Sequence, residues 1–177
     1  MIASRKKRIG IFGGSFDPPH HGHLEISRLA IKKLFLDQIY WCLTKKNPFK
    51  NKPFFSLSER IKKSKIITSK VQKIKIKFFE GKIKKNNTVD MIKYLKKKNK
   101  KNIFFLIIGS DNLIKFHKWK NWKLLPELAE IVVFSRKGYD KKGKKSVMMK
   151  QVKKIKFIKN KPINISSTQI RKNYLKA

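Results

Sequence analysis

The sequence predicts an α/β fold, a parallel sheet with helices on both faces, in one domain spanning residues 1–177. Three observations carry that prediction. Short apolar runs alternate with stretches whose apolar residues recur at helical spacing, and strands joined through helices pair in parallel by right-handed crossovers. Residues 103–108, Ile-Phe-Phe-Leu-Ile-Ile, form the unbroken apolar run that a central strand buried on both faces requires. The first apolar run, residues 9–12, ends in Gly13-Gly14, a tight loop that opens into a helical pattern.

Each element follows in order. After the glycine loop, Leu24, Ile26, Leu29, Ala30 and Leu34 mark the first helix, and residues 38–43 form the second strand. The next segment carries Lys45, Lys46, Lys50 and Lys52 and is broken by Pro48 and Pro53, so it reads as a loop. A second helix begins at Ser58-Glu59, with Ile61, Ile66 and Ile67 among its apolar positions. Residues 73–79 place Ile74, Ile76 and Phe78 on one face and Lys73, Lys75 and Lys77 on the other, a half-exposed strand near a sheet edge. Residues 88–95 form a third helix, closed by the lysine run to Lys101, before the central strand at 103–108. Residues 131–134 repeat the buried-strand pattern more briefly, and the basic, turn-rich segment 138–146 reads as a mobile linker. A last strand at 155–158 and a last helix at 167–175 complete the chain. Ligands of such sheets sit beyond the carboxyl ends of the strands, which directs attention to the loops after Phe12, Leu43, Ile108 and Phe134.

Composition excludes several classes. Lys and Arg number 47 against 10 Asp and Glu, a net charge of +37, which by itself suggests a phosphate-rich partner. Forty-one of the 47 are lysine, however, whereas proteins that read base edges use the planar, bidentate guanidinium, so a sequence-specific nucleic-acid reader is disfavoured. Lys, Ile, Asn, Phe and Tyr, all with A/T-rich codons, dominate the chain, and coding bias explains the lysine excess as well as a ligand does. With 40% hydrophobic and 11% aromatic residues the chain is no disordered tail. A lone cysteine, Cys42, forbids an internal disulfide and a Cys-based zinc site and reads as a buried thiol. No uncharged stretch exceeds nine residues, too short to span a bilayer, and the basic start lacks the apolar region of a signal peptide, so the expected location is cytoplasmic and no membrane partner is expected.

Chemistry concentrates in three places. Gly13-Gly14-Ser15-Phe16-Asp17-Pro18-Pro19-His20-His21-Gly22-His23 joins the first strand to the first helix, where glycines let backbone N–H groups approach an anion and the helix N-terminus favours negative charge. His20 and His23, spaced H-x-G-H, can both turn toward one phosphate as donors. The three neighbouring histidines lack a carboxylate or thiolate at zinc-ligand spacing, so metal ligation is disfavoured. Neither G-x-G-x-x-G nor a P-loop follows the first strand; residues 138–145 mimic a P-loop but put Lys145 where its Ser or Thr belongs. Near the other end, Ser166-x-x-Gln169 is a capping box, and Ser166-Ser167-Thr168 with Arg171 after Ile165 make a phosphate clamp at a helix start. Between them, Gly109-Ser110-Asp111 ends the most buried strand; Asp111 can accept from a ribose, and Trp119 or Trp122 can stack on a planar ring or pack in the core.

These residues resemble the bacterial nicotinate-nucleotide adenylyltransferases within the H-x-G-H nucleotidyltransferase superfamily. The resemblance runs from Ile9 to Arg171 and includes Thr88-Val89-Asp90-Met91, Phe116-His117-Lys118-Trp119 and Ser135-Arg136-Lys137-Gly138-Tyr139. It implies a Rossmann-like fold of nucleotidyltransferase type and transfer of the adenylyl group of ATP to nicotinate mononucleotide with Mg2+, giving nicotinate adenine dinucleotide and pyrophosphate in NAD biosynthesis. By position it implies that His20, His23 and Arg171 are catalytic, gripping phosphates. Gly13, Gly14, Ser15, Phe16, Gly22, Gly109, Asp111, Ile165, Ser167 and Thr168 would bind ATP. Asp17, Lys50, Thr88, Trp119 and Arg136 would bind the acceptor, with Trp119 stacked on the nicotinate ring and Thr88 at its carboxylate. Lys120 stands where many members have a tyrosine after the tryptophan, and Lys137 where many have a proline. Two other readings remain: a sibling enzyme using phosphopantetheine or nicotinamide mononucleotide, and a basic nucleic-acid-binding protein.

Overall fold

The computed structural model describes residues 5–49, 52–83 and 87–176. Among these, β1 (Arg8–Gly14), β2 (Gln38–Leu43), β3 (Ile74–Lys77), β4 (Ile103–Gly109), β5 (Glu130–Phe134) and β6 (Ile155–Ile158) form one sheet. The strand order is β3-β2-β1-β4-β5-β6, and every neighbouring pair is parallel. The helices are α1 (His21–Lys33), α2 (Leu57–Thr68), α3 (Glu80–Ile83), α4 (Thr88–Lys98), α5 (Ser110–Lys115), α6 (Leu125–Leu128), α7 (Asp140–Lys144), α8 (Val147–Gln151) and α9 (Ser167–Tyr174). The expected α/β, Rossmann-like architecture is the one observed.

The unbroken apolar run of β4 is explained by two cores. Phe104, Leu106 and Ile108 enter one with Val89, Ile92 and Leu113 of α4 and α5. Phe105 and Ile107 enter the other with Leu24 and Ala30 of α1. Successive side chains alternate across a strand, and here both faces are covered. At the edge, β3 pairs through Ile74–Lys77 with residues Ile39–Cys42 of β2, so the alternation of residues 73–79 outruns the ladder.

The chain winds outward from β1 to β3 and then returns to lay β4 on the other side of β1. Progression reverses there, and the crevice beyond the carboxyl ends of β1 and β4 is where such sheets hold ligands. The register Phe12↔Ile107 sets Gly13 and Gly14 beside the end of β4.

Two expectations change. Helix α2 buries Arg60, Ser64 and Thr68, a polar stripe at four-residue spacing, while Ile66 is exposed. The segment 138–146 is built into the fold, where its lysines and glycines suggested a mobile linker. Asp140 accepts from the Ser110 hydroxyl (2.7 Å) and the Arg136 N–H (3.0 Å). Burial disfavours that carboxylate, but these hydrogen bonds prevail and hold its carboxyl below the usual range. A Cβ on Gly143 would lie 3.0 Å from the Ser110 carbonyl oxygen, Ser146 caps α8, and Met148 is fully buried. Among the described residues, no helix is long and apolar enough to cross a membrane.

Candidate active site

The loop leaving β1 is tightly constrained. Phe16 has φ +48°, its ring is stacked on Trp41 at 4.7 Å, and the Asp17–Pro18 peptide is cis. His20 is the N-cap of α1: the Gly22 N–H donates to its Nδ1 (3.1 Å), and the His20 N–H donates to His23 Nδ1 (3.2 Å). With both Nδ1 atoms accepting, each neutral ring carries its proton on Nε2, the donor form that a phosphate requires. The two rings lie 3.9 Å apart. A Cβ on Gly22 would come within 2.9 Å of the His20 ring and 2.8 Å of Ile163, so only glycine admits this packing. Burial, reinforced by the charges of Arg136 and His21, lowers the pKa of His20 to about 4 and keeps it neutral near pH 7.

The serine-rich signature docks on this loop from the far end of the chain. Ser166 caps α9, accepting from the Gln169 N–H (3.2 Å). The Ser167 hydroxyl donates to the Pro18 carbonyl (2.9 Å); Arg171 donates to the Asp17 carbonyl (2.5 Å) and to the Thr168 hydroxyl (3.2 Å). The buried Asp17 carboxylate is itself occupied, accepting from the N–H groups of Phe54 (2.8 Å) and Phe55 (2.9 Å) with Arg171 at 3.7 Å. Beside α9, Arg136, Ile165 and Ser166 line a cavity of about 370 Å³.

A larger cavity of about 660 Å³ opens beyond β1, β2 and β4, with Gly13, Gly14, Thr88, Asp111, Trp119 and Lys120 in its wall. His20, His23 and Arg171 are not in that wall. Thr88 is the first residue of the 11-residue α4, whose N-cap Asn87 accepts from the Asp90 N–H (2.9 Å); the positive end of that helix dipole therefore faces the cavity wall. Trp119 packs one face on Phe116 at 4.8 Å, which serves the core and the cavity together. Asp111 pairs with Arg136 at 2.6 Å, while its Oδ1 is buried without a hydrogen-bond partner. A side chain on Gly109 would collide with that Oδ1. Because Arg136 lines the smaller cavity and Asp111 the larger, this ion pair joins the two walls.

The structure thus gathers the histidine loop, Ser167, Thr168 and Arg171 on one side and Thr88, Trp119 and Asp111 on the other. Lys50 lies outside the described residues. Sequence reasoning missed Arg60 and Glu80. Arg60 is buried and donates only to backbone carbonyls; Glu80 accepts from the Thr44 hydroxyl and from the Lys45 N–H (3.1 Å). Cys42, also in the cavity wall, is buried, which pushes its thiol pKa up and leaves it a protonated packing group.

Residues 11–173 match the cytidylyltransferase-like family model. A probable nicotinate-nucleotide adenylyltransferase from Pelagibacter ubique is 50% identical over 97% of this chain and 96% of its own length. One from Ruegeria is 38% identical over 73% of this chain and 68% of its own. Among solved structures, the Plasmodium falciparum nicotinic acid mononucleotide adenylyltransferase complexed with NaAD has the same fold, with a TM-score of 0.77, 22% identity and coverage of 94% of this chain and 83% of that one. Sheet order, loop signatures and these similarities agree: the chain belongs to the cytidylyltransferase-like family, among the nicotinate-nucleotide adenylyltransferases.

Proposed function

We propose that the chain transfers the adenylyl group of ATP to nicotinate mononucleotide, yielding nicotinate adenine dinucleotide and pyrophosphate in NAD biosynthesis. One observation carries this reading: the glycine–histidine loop and the Ser167–Arg171 helix start meet beside a 660 Å³ cavity walled by Trp119 and the N-terminus of α4. The names of the relatives at 50% and 38% identity support it.

A phosphate oxygen of the mononucleotide attacks the α-phosphorus of ATP, the bond from that phosphorus to the bridging oxygen breaks, and pyrophosphate leaves with the electron pair. The attacking phosphate is already an anion, so no protein nucleophile or general base is needed; the protein aligns the reactants and stabilises spreading negative charge. His20 and His23 would donate from Nε2 to the phosphates, joined by Arg171, the hydroxyls of Ser167 and Thr168, and backbone N–H groups of Gly13, Gly14, Ser15, Phe16 and Gly22. Asp111, beside Gly109, would accept from the ribose, with Ile165 against the adenosine side. Trp119 would stack on the pyridine ring, Thr88 at the head of α4 would meet its carboxylate, and Arg136 and Lys50 would hold the acceptor's charge. Asp17 would act through the loop and Arg171, since its carboxylate already holds two backbone N–H groups.

Mg2+ would enter with the triphosphate and neutralise part of its charge. The donor set suits an ion carried by the nucleotide, because Asp17 and Glu80 are engaged with backbone N–H groups and, among the described residues, no three His, Cys, Asp or Glu side chains cluster as a metal cage.

The test is pyrophosphate release by His20→Asn and His23→Asn enzymes. Asparagine is a good N-cap, so His20→Asn is expected to retain the circular dichroism spectrum while kcat falls about 100-fold or more, the usual scale for a lost charge-stabilising donor. Near-normal turnover in both variants contradicts the reading.

A further inference from the structure

We infer that Arg60 is a positioning residue for the adenylyl transfer proposed above, on which this inference rests: its guanidinium fixes the nucleotide-side loop relative to the wall of the acceptor cavity. Arg60 is 1% exposed. Its Nε donates to the Phe55 carbonyl (3.1 Å), Nη1 to those of Ser15 (2.7 Å) and Thr44 (2.8 Å), and Nη2 to that of Lys45 (3.1 Å). These acceptors come from three separate segments: the loop beyond β1, the loop beyond β2 and the entry to α2. A guanidinium holds its N–H bonds in one rigid plane, so engaging all four carbonyls fixes the segments relative to one another.

The same segments are gripped from their other side. The Thr44–Lys45 peptide gives its carbonyl to Arg60 and its N–H to Glu80 at 3.1 Å, so both ends of one planar unit are held, and Glu80 stands in the cavity wall. The Phe55 N–H is held by Asp17 at 2.9 Å while the Phe55 carbonyl accepts from Arg60. Burial lowers the pKa of the guanidinium, and the charges of Asp17 and Glu80 oppose that shift without touching the group as hydrogen-bond partners. Capture of the Ser15 carbonyl also sets the next N–H: C=O and N–H of a trans peptide point in opposite directions, so the Phe16 N–H turns away from Arg60. Phe16 is held there at φ +48°, a conformation that a bulky residue keeps only where its surroundings enforce it. A cation that served packing alone would not need to bridge both rims of the cleft.

Arg60→Lys keeps the charge and most of the stem but replaces the fork by a compact ammonium. Initial rates are measured with ATP and nicotinate mononucleotide each varied, normalised to the folded fraction from circular dichroism at the assay temperature. The expected result is a kcat lowered about tenfold or more, because small misplacements of reactants are costly, with both KM values within about threefold of wild type. If Arg60→Lys does not fold, Glu80→Gln carries the test, since it loosens the same Thr44–Lys45 peptide; a kcat lowered about threefold is expected, and an unchanged kcat overturns the proposal. A folded Arg60→Lys enzyme with wild-type kcat, an increase in KM alone, or a loss of rate matching the loss of folded protein each overturns it as well. A wild-type enzyme inactive with every acceptor overturns the functional reading and this proposal together; an active wild type with an unaffected variant overturns this proposal alone.

Discussion

His20 shows how one residue ties fold to chemistry. Its ring caps α1 through Nδ1 and is left with a proton on Nε2, and its folded pKa of about 4 lies below the 6.5 of a free imidazole. As pH falls, the unfolded chain therefore takes up the proton first; the stability His20 confers is complete above 6.5 and declines from there toward about 4. The thermal midpoint of wild type is expected to drop between pH 7 and 5 by more than that of His20→Asn, and equal drops by calorimetry contradict this assignment. The histidines, glycines and clamp residues were legible because their residue types are unusual in a lysine-rich chain. Arg171 was legible from its place after the serine run at a helix start and Arg136 only through the family resemblance, while Arg8 uses guanidinium geometry structurally, donating to the Leu34 carbonyl at 2.9 Å. Arg60 escaped because its partners are backbone carbonyls up to 45 positions away, which leave no side-chain pattern to read.

At the scale of elements, strong periodicity read true and sparse signals did not. The strands at Gln38–Leu43 and Ile155–Ile158 have the expected bounds, since each apolar run ends where its ladder ends. Helices α7 and α8 were missed because each is five residues long and they reach the core mainly through Gly143 and Met148, with lysines over the rest. Because Met148 anchors α8 in the core, Met148→Ala is expected to cost about 2–5 kcal/mol in urea titrations; a loss under about 0.5 kcal/mol contradicts that docking. Docking of α9 on the loop after β1 was equally hidden, although the residues on both sides were recognised, because nothing in the sequence states that Ser167 and Pro18 meet across 149 positions.

For the whole molecule, the net charge of +37 acts as a field and the arginines and histidines as contacts. Most lysines are exposed, and their summed potential draws in anionic substrates. Raising ionic strength from 0.1 to 1 M shortens the screening length from about 10 to about 3 Å and is expected to lower kcat/KM for ATP several-fold with little change in kcat. A kcat/KM indifferent to salt removes the steering role. The parallel sheet was legible from alternation, whereas the strand order with its reversal between β1 and β4, and the two cavities joined by Asp111 and Arg136, required the structure, because alternation does not set which strands are neighbours and the cavity walls draw on loops from along the chain. Pyrophosphate release by the wild-type enzyme with ATP and, in turn, nicotinate mononucleotide, nicotinamide mononucleotide and phosphopantetheine tests the proposed reaction most directly. The expected result is the highest kcat/KM with nicotinate mononucleotide; no release with it, or faster release with phosphopantetheine, contradicts the assignment.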